Sequence, residues 1–88
     1  MDKSRIQARL LQFSLRPKNV RFDEIDTLIQ NHVALYFHVK CHGKGSHRAY
    51  TVGNQTFTLV VRKPHIKAVY VALFLEKMEA LGLFQPER

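Results

Sequence analysis

The residues with the most chemistry in this chain stand together at Gly43-Lys44-Gly45-Ser46-His47-Arg48, just ahead of an alternating run. Two glycines let the backbone pass close to a ligand. Lys44 and Arg48 bring positive charge, Ser46 a hydroxyl, and His47 a side chain that exchanges a proton near neutral pH. A basic turn that delivers a histidine onto the start of a strand suits phosphodiester chemistry. The same residues also make an ordinary hairpin turn. A zinc reading would draw on His38, Cys41, His42 and His47. Their order is not a finger spacing, and alternation puts Cys41 opposite His38, so no metal or other cofactor is expected.

Charge favours the phosphodiester reading. Fourteen Lys and Arg against seven Asp and Glu give a formal +7, with a pI near 10.0. Small basic domains bind nucleic acid because neutralising phosphates releases condensed counterions. Acids gather at Asp23, Glu24 and Asp26 and again at Glu76 and Glu79, whereas Lys40 to Lys67 contains none. One half of the molecule should carry a strong positive field, and RNA is the expected partner.

At 88 residues the chain suffices for one core, and its 45% hydrophobic content excludes a disordered tail. The single cysteine, Cys41, makes no internal disulfide, which fits a reducing, cytoplasmic setting. No apolar run approaches ~20 residues, so no membrane span is expected. The basic start resembles a transit peptide only slightly, given Asp2 and the scarcity of serine.

The elements that must position these groups follow from periodicity. Ser4 to Leu15 reads as a helix with Ser4 as N-cap and Ile6, Leu10 and Phe13 on one side, ended at Arg16-Pro17. A second helix should start at Asp23 as N-cap, with Asp26 three residues on, and face inward through Ile25, Leu28 and Ile29. Leu35 to Cys41 alternates as a strand, with Leu35, Phe37, Val39 and Cys41 inward and Tyr36, His38 and Lys40 outward. A second strand covers His47 to Val52, and Gly53-Asn54-Gln55 turns it into a third, Thr56 to Arg62. Tyr50, Val52, Phe57, Leu59 and Val61 belong inside, which leaves His47, Ala49 and Thr51 on the open face with His38 and Lys40. The last helix follows Lys63-Pro64-His65 and runs to about Leu81, with Gly82 as a left-handed cap. It is apolar nearly all round from Ala68 to Leu75, so it wants cover on more than one side. The N-terminal helix supplies that cover, or else a second copy in a homodimer.

Helix, helix, three antiparallel strands, helix is an α+β two-layer sandwich. Without its first helix, the α-β-β-β-α order is that of the double-stranded-RNA-binding fold. Residues 1–19 form the extra N-terminal helix and connector, and residues 20–88 the main domain. That domain resembles the HicA-type toxins (mRNA interferases) of bacterial toxin–antitoxin pairs. The resemblance rests on Asn19-Val20-Arg21-Phe22-Asp23-Glu24-Ile25, on Gly45-Ser46-His47 opening the second strand, and on Lys63-Pro64-His65 and Leu81-Gly82-Leu83 around the last helix.

The resemblance implies a metal-independent endoribonuclease with His47 as catalytic residue. Ser46 and the Gly45 backbone would position phosphate, and Lys44 and Arg48 would supply charge, with Lys40 on the same RNA-binding face. It also implies an acidic HicB-type antitoxin that covers the basic face. From this sequence alone, His38 is a candidate second proton handler. Lys63, His65 and Lys67, where the last helix begins, are candidate phosphate contacts. The alternatives are a non-catalytic RNA-binding module using the same face, and an interaction module docking through its last helix or an edge strand.

Overall fold

The computed structural model describes residues 2–86. Its first helix, α1 (Lys3–Leu15), is capped by Asp2, whose carboxylate accepts the Arg5 amide at 3.0 Å. Ser4, expected as the cap, lies inside the helix and donates its hydroxyl to the same carboxylate at 2.7 Å. An ionised carboxylate is the stronger acceptor, so it takes the cap position. The second helix, α2 (Phe22–Asn31), has its N-cap at Arg21, two residues before the expected Asp23 cap. Glu24 explains the difference, because it accepts the Arg21 amide at 2.9 Å and so closes the first turn around Arg21. Asp26 caps nothing and accepts the Tyr50 hydroxyl at 2.7 Å, tying α2 to the sheet.

The largest departure from expectation is the first strand. Val33–Leu35 forms a 3₁₀ turn, and β1 is Val39–Lys44. Its limits are set by its partner β2 (His47–Val52), which pairs Val39 with Val52 and Lys44 with His47. Beyond Val52 the chain turns at Gly53 (φ 58°) into β3 (Gln55–Val60), so Leu35 to Phe37 have no strand to pair with. At the other end the turn is only Gly45-Ser46, with Gly45 at φ 62°. A two-residue type II′ turn needs positive φ at its first central position only, which Gly45 supplies, so Gly43 and Lys44 stay in the ladder. The expected third strand likewise ends at Val60 rather than Arg62.

The antiparallel sheet has the order β1-β2-β3 and one covered face. Tyr50, Val52, Phe57 and Leu59 point into the core, in the expected register. There they meet α3 (Ala68–Ala80) through Val71, Phe74 and Met78. Gly82 (φ 77°) ends α3, and the Leu83 amide reaches back to the Met78 carbonyl at 2.9 Å while the Gly82 amide bonds Glu79 at 3.0 Å. Much of the apolar surface of α3 is covered within the chain, although Val69 stays exposed. Ile6, Leu10 and Phe13 of α1 are fully buried in the same cluster, and the Phe13 and Phe74 rings lie 6.4 Å apart. Gln7 also exchanges two hydrogen bonds with the Gln85 backbone, at 2.7 and 2.8 Å, which fastens the end of the described chain to α1. Among the described residues, no helix is long and apolar enough to cross a membrane.

Arg16 holds the helical layer together at its other end. It bonds both Glu24 oxygens, at 2.9 and 3.3 Å, and the Asn19 carbonyl at 2.6 Å, with its guanidinium 5.6 Å from the Phe13 ring. The Arg16 guanidinium is the main cause that holds the Glu24 carboxyl below the ordinary glutamate value of 4.5; burial opposes it, and the Arg21 amide adds a further, smaller lowering. A carboxyl lowered by folding stabilises the protein above its unfolded value, and that contribution disappears as pH falls through the lowered one. Arg16→Gln should therefore reduce stability at pH 7 and flatten its loss below pH 4.5, as read by denaturation midpoints across an acid series. Phe13→Ala should cost roughly 3–5 kcal/mol by urea unfolding, as for a fully buried ring at a shared core.

Candidate functional site: the open face and its hairpin end

The side chains opposite the core lie on the uncovered face of the sheet. Register places Lys40, His42 and Lys44 there from β1, His47, Ala49 and Thr51 from β2, and Thr56, Thr58 and Val60 from β3. The lysines, both histidines, Thr56 and Thr58 are exposed. No strand carries an acid; the acids of the described residues sit at Asp2, in α2 and in α3. The face therefore combines two lysines and two histidines with no carboxylate among them.

His47 is where the sequence places it, at the start of β2, flanked by Lys44 across one side and Val60 across the other. Its diagonal neighbour on β1 is His42, and such positions stand about 7–8 Å apart between α-carbons. Sequence reasoning assigned that second role to His38. In the structure His38 precedes β1, and its carbonyl accepts the Gly53 amide at 2.9 Å, at the far end of the hairpin from His47. Tyr36, expected on the open face, lies under the Lys3 ammonium of α1, 5.3 Å from its ring centre. The signal for His42 was present. Reading Gly45-Ser46 as a two-residue turn carries the alternation from Lys40 through His42 to Lys44.

Arg48, expected to supply charge beside His47, takes the opposite face of the sheet. It pairs with Gly43 and Leu59 on the core face of the sheet. Its guanidinium curls over Gly43 and donates to the Gly45 carbonyl at 2.6 Å and the His47 carbonyl at 3.2 Å. Gly43 is what makes room, since a Cβ there would lie 2.7 Å from Arg48 Cδ and 2.9 Å from the His47 carbonyl oxygen. Arg48 thus braces the turn that presents Lys44, Ser46 and His47. Cys41 also departs from expectation, for it faces the Tyr50 side yet is exposed at the uncovered edge. Tyr50 beside it stays a protonated donor, its phenol pushed well up by burial and then by Asp26.

The remaining candidates divide into two groups. Beyond β3 the Val61 amide bonds the Ser46 carbonyl at 2.7 Å, which brings the chain entering Arg62 and Lys63 to the hairpin turn. His65 and Lys67 lead away from it. His65 is half-buried, with its carbonyl held by Arg62 Nε at 2.9 Å, and Ile66 is tied to Val20 at 3.0 Å. Lys67 stands at the start of α3, in the helical layer. Lys40 shares the open face but at the opposite end of β1 from Lys44. Among the described residues, no group of three or more His, Cys, Asp or Glu side chains is placed to hold a metal ion.

Comparison with known protein families, with curated proteins and with solved structures finds no match to this chain. Gly43→Ala should displace Arg48 and loosen the turn, lowering stability by roughly 1–3 kcal/mol as other overpacked sites do. A urea titration, with the amide spectrum of Lys44 to His47 followed alongside, measures both effects.

Proposed function

We propose that this chain is a metal-independent endoribonuclease of the HicA type, on a fold with the helix and strand order of double-stranded-RNA-binding domains. The observation that carries this reading is the uncovered, acid-free sheet face that holds His47, His42 and Lys44 as neighbours. RNA cleavage without a metal needs a base on the 2′-hydroxyl, an acid for the departing 5′-oxygen, and positive charge at the phosphate. His47 takes the 2′ proton as that oxygen bonds phosphorus. His42 gives a proton to the 5′-oxygen as its bond to phosphorus breaks, leaving a 2′,3′-cyclic phosphate and a 5′-hydroxyl. Lys44, directly across from His47, stands against the charge that builds on the phosphate oxygens. Lys40 tracks the strand further along the face, and an acidic antitoxin seated there would silence the site by covering His47.

One observation favours a second reading, an RNA-binding module without catalysis. No carboxylate of the sheet orients either histidine, so the face also suits plain backbone binding.

Cleavage of a mixed single-stranded RNA in EDTA separates them. Wild type should cleave, His47→Ala should lose roughly 10²–10⁴-fold, as general-base removal does, and His42→Ala should fall by at least about tenfold while both still bind. Lys44→Gln should lower the salt dependence of RNA binding by about one unit of slope, and Arg48→Gln should not. Equal cleavage by wild type and His47→Ala would move the chemistry elsewhere. Binding without cleavage by wild type would leave the module.

A further inference from the structure

A cleft of about 480 Å³ opens between the first turn of α2 and the chain that leaves β3. It lies outside the histidine face but touches its end. Val61, in the cleft wall, donates its amide to the Ser46 carbonyl, and the residue before it, Val60, pairs with His47. Two further residues of extended chain separate that pairing position from Arg62 by roughly 7 Å. Adjacent nucleotides of one strand can span such a distance.

The cleft is built for something flat, partly apolar and anionic. Phe22 and Pro64 give it apolar wall. Arg21, Arg62 and Lys63 set three cations around it against one carboxylate, Asp23. Arg62 is held in place by its own Nε bond to the His65 carbonyl, and its two terminal amino groups have no hydrogen-bond partner among the described residues. Glu24, the other nearby acid, is occupied by Arg16 and the Arg21 amide and does not cancel this charge. The volume lies within the range of small-molecule sites.

We infer that this cleft is a nucleotide subsite: it receives the base and phosphate of the RNA residue next to the one cleaved. The inference rests on the reading of the open face as an RNA-cleaving face. The base lies against Phe22 and Pro64, where stacking is tolerant of base identity. The phosphate meets Arg62 and Lys63 through charge-assisted hydrogen bonds. Asp23 can only accept hydrogen bonds as a carboxylate, so it favours bases that present an exocyclic amino group over uracil, whose single N3–H donor lies between two carbonyl oxygens that the carboxylate repels.

The test follows backbone amide shifts of the full chain on titration with each 3′-mononucleotide, and with ribose 5-phosphate as the baseless anion. Nucleotides should shift the amides of Phe22, Asp23, Arg62 and Lys63 and bind at least roughly tenfold tighter than ribose 5-phosphate. Phe22→Leu keeps an apolar side chain against the core but removes the ring, and Arg62→Gln removes the fork. Each should weaken nucleotide binding roughly tenfold. Asp23→Asn should erase the preference against 3′-UMP. A short RNA with 2′-O-methyl groups should shift the cleft and Lys44 to His47 in one complex.

Equal binding of ribose 5-phosphate, or shifts confined to the hairpin and open face, would overturn the subsite. So would mononucleotides entering a cleft that the oligonucleotide leaves untouched. The two readings fail separately. RNA cleavage that needs His47 but never perturbs the cleft sinks the subsite alone. Cleft and hairpin shifts together in a protein that cleaves nothing would keep the nucleotide subsite and remove only the catalysis.

Discussion

Four aromatic rings in contact fix which side of the sheet is available for chemistry. Tyr50 stacks on Phe57 at 5.3 Å, Phe57 meets Phe74 of α3 at 5.9 Å, and Phe74 meets Phe13 of α1 at 6.4 Å. The column runs through the sheet, the last helix and the first helix, so it joins every layer. Because strand side chains alternate, burying Tyr50 and Phe57 forces His47, Ala49, Thr56 and Thr58 outward. A slip of one residue would put His47 in the core and the rings in water, and the cost of that exchange pins the register. The exposed histidine follows from the hydrophobic core.

The same arrangement sorts charge. Asp26 is spent on Tyr50 and Glu24 on Arg16, and both belong to α2. The sheet is left with lysines and no acid. Neighbouring strands lie about 4.8 Å apart, so three of them span roughly 10 Å, close to one Debye length at physiological salt. Lys44 and a phosphate beside His47 lie within that length and interact with modest screening, whereas Lys40, four residues or roughly 13 Å along β1, stands beyond it. A phosphate placed beside His47 would also supply the negative partner that the sheet withholds from the two histidines of this face.

Much of this was legible in the sequence, and the parts that were not share a cause. The helices, the register of the second and third strands, the left-handed Gly82 and the open position of His47 follow from local signals: periodicity, glycine and alternation. The first strand failed because its limits are not local. Leu35, Phe37 and Val39 alternate as well as any strand, but pairing stops where β2 turns at Gly53. That displacement hid His42 and promoted His38. Arg48 was misplaced for a related reason: two glycines in the turn left its extent ambiguous, and parity across a turn of unknown length decides which face each residue takes.

Gly43 and Gly45 then divide a labour that looks, in the sequence, like one flexible loop. Gly45 supplies the positive φ that closes the hairpin in two residues. Gly43 is in regular strand and supplies only absence, the missing Cβ over which Arg48 lies. With Arg48 bonded to the Gly45 and His47 carbonyls from the core side, the turn is held from beneath while its upper side stays open. The basic tip is thus braced rather than loose. A braced tip can hold Lys44 and His47 at fixed positions across a strand pair, which positioning of a phosphate requires and a mobile loop would not give.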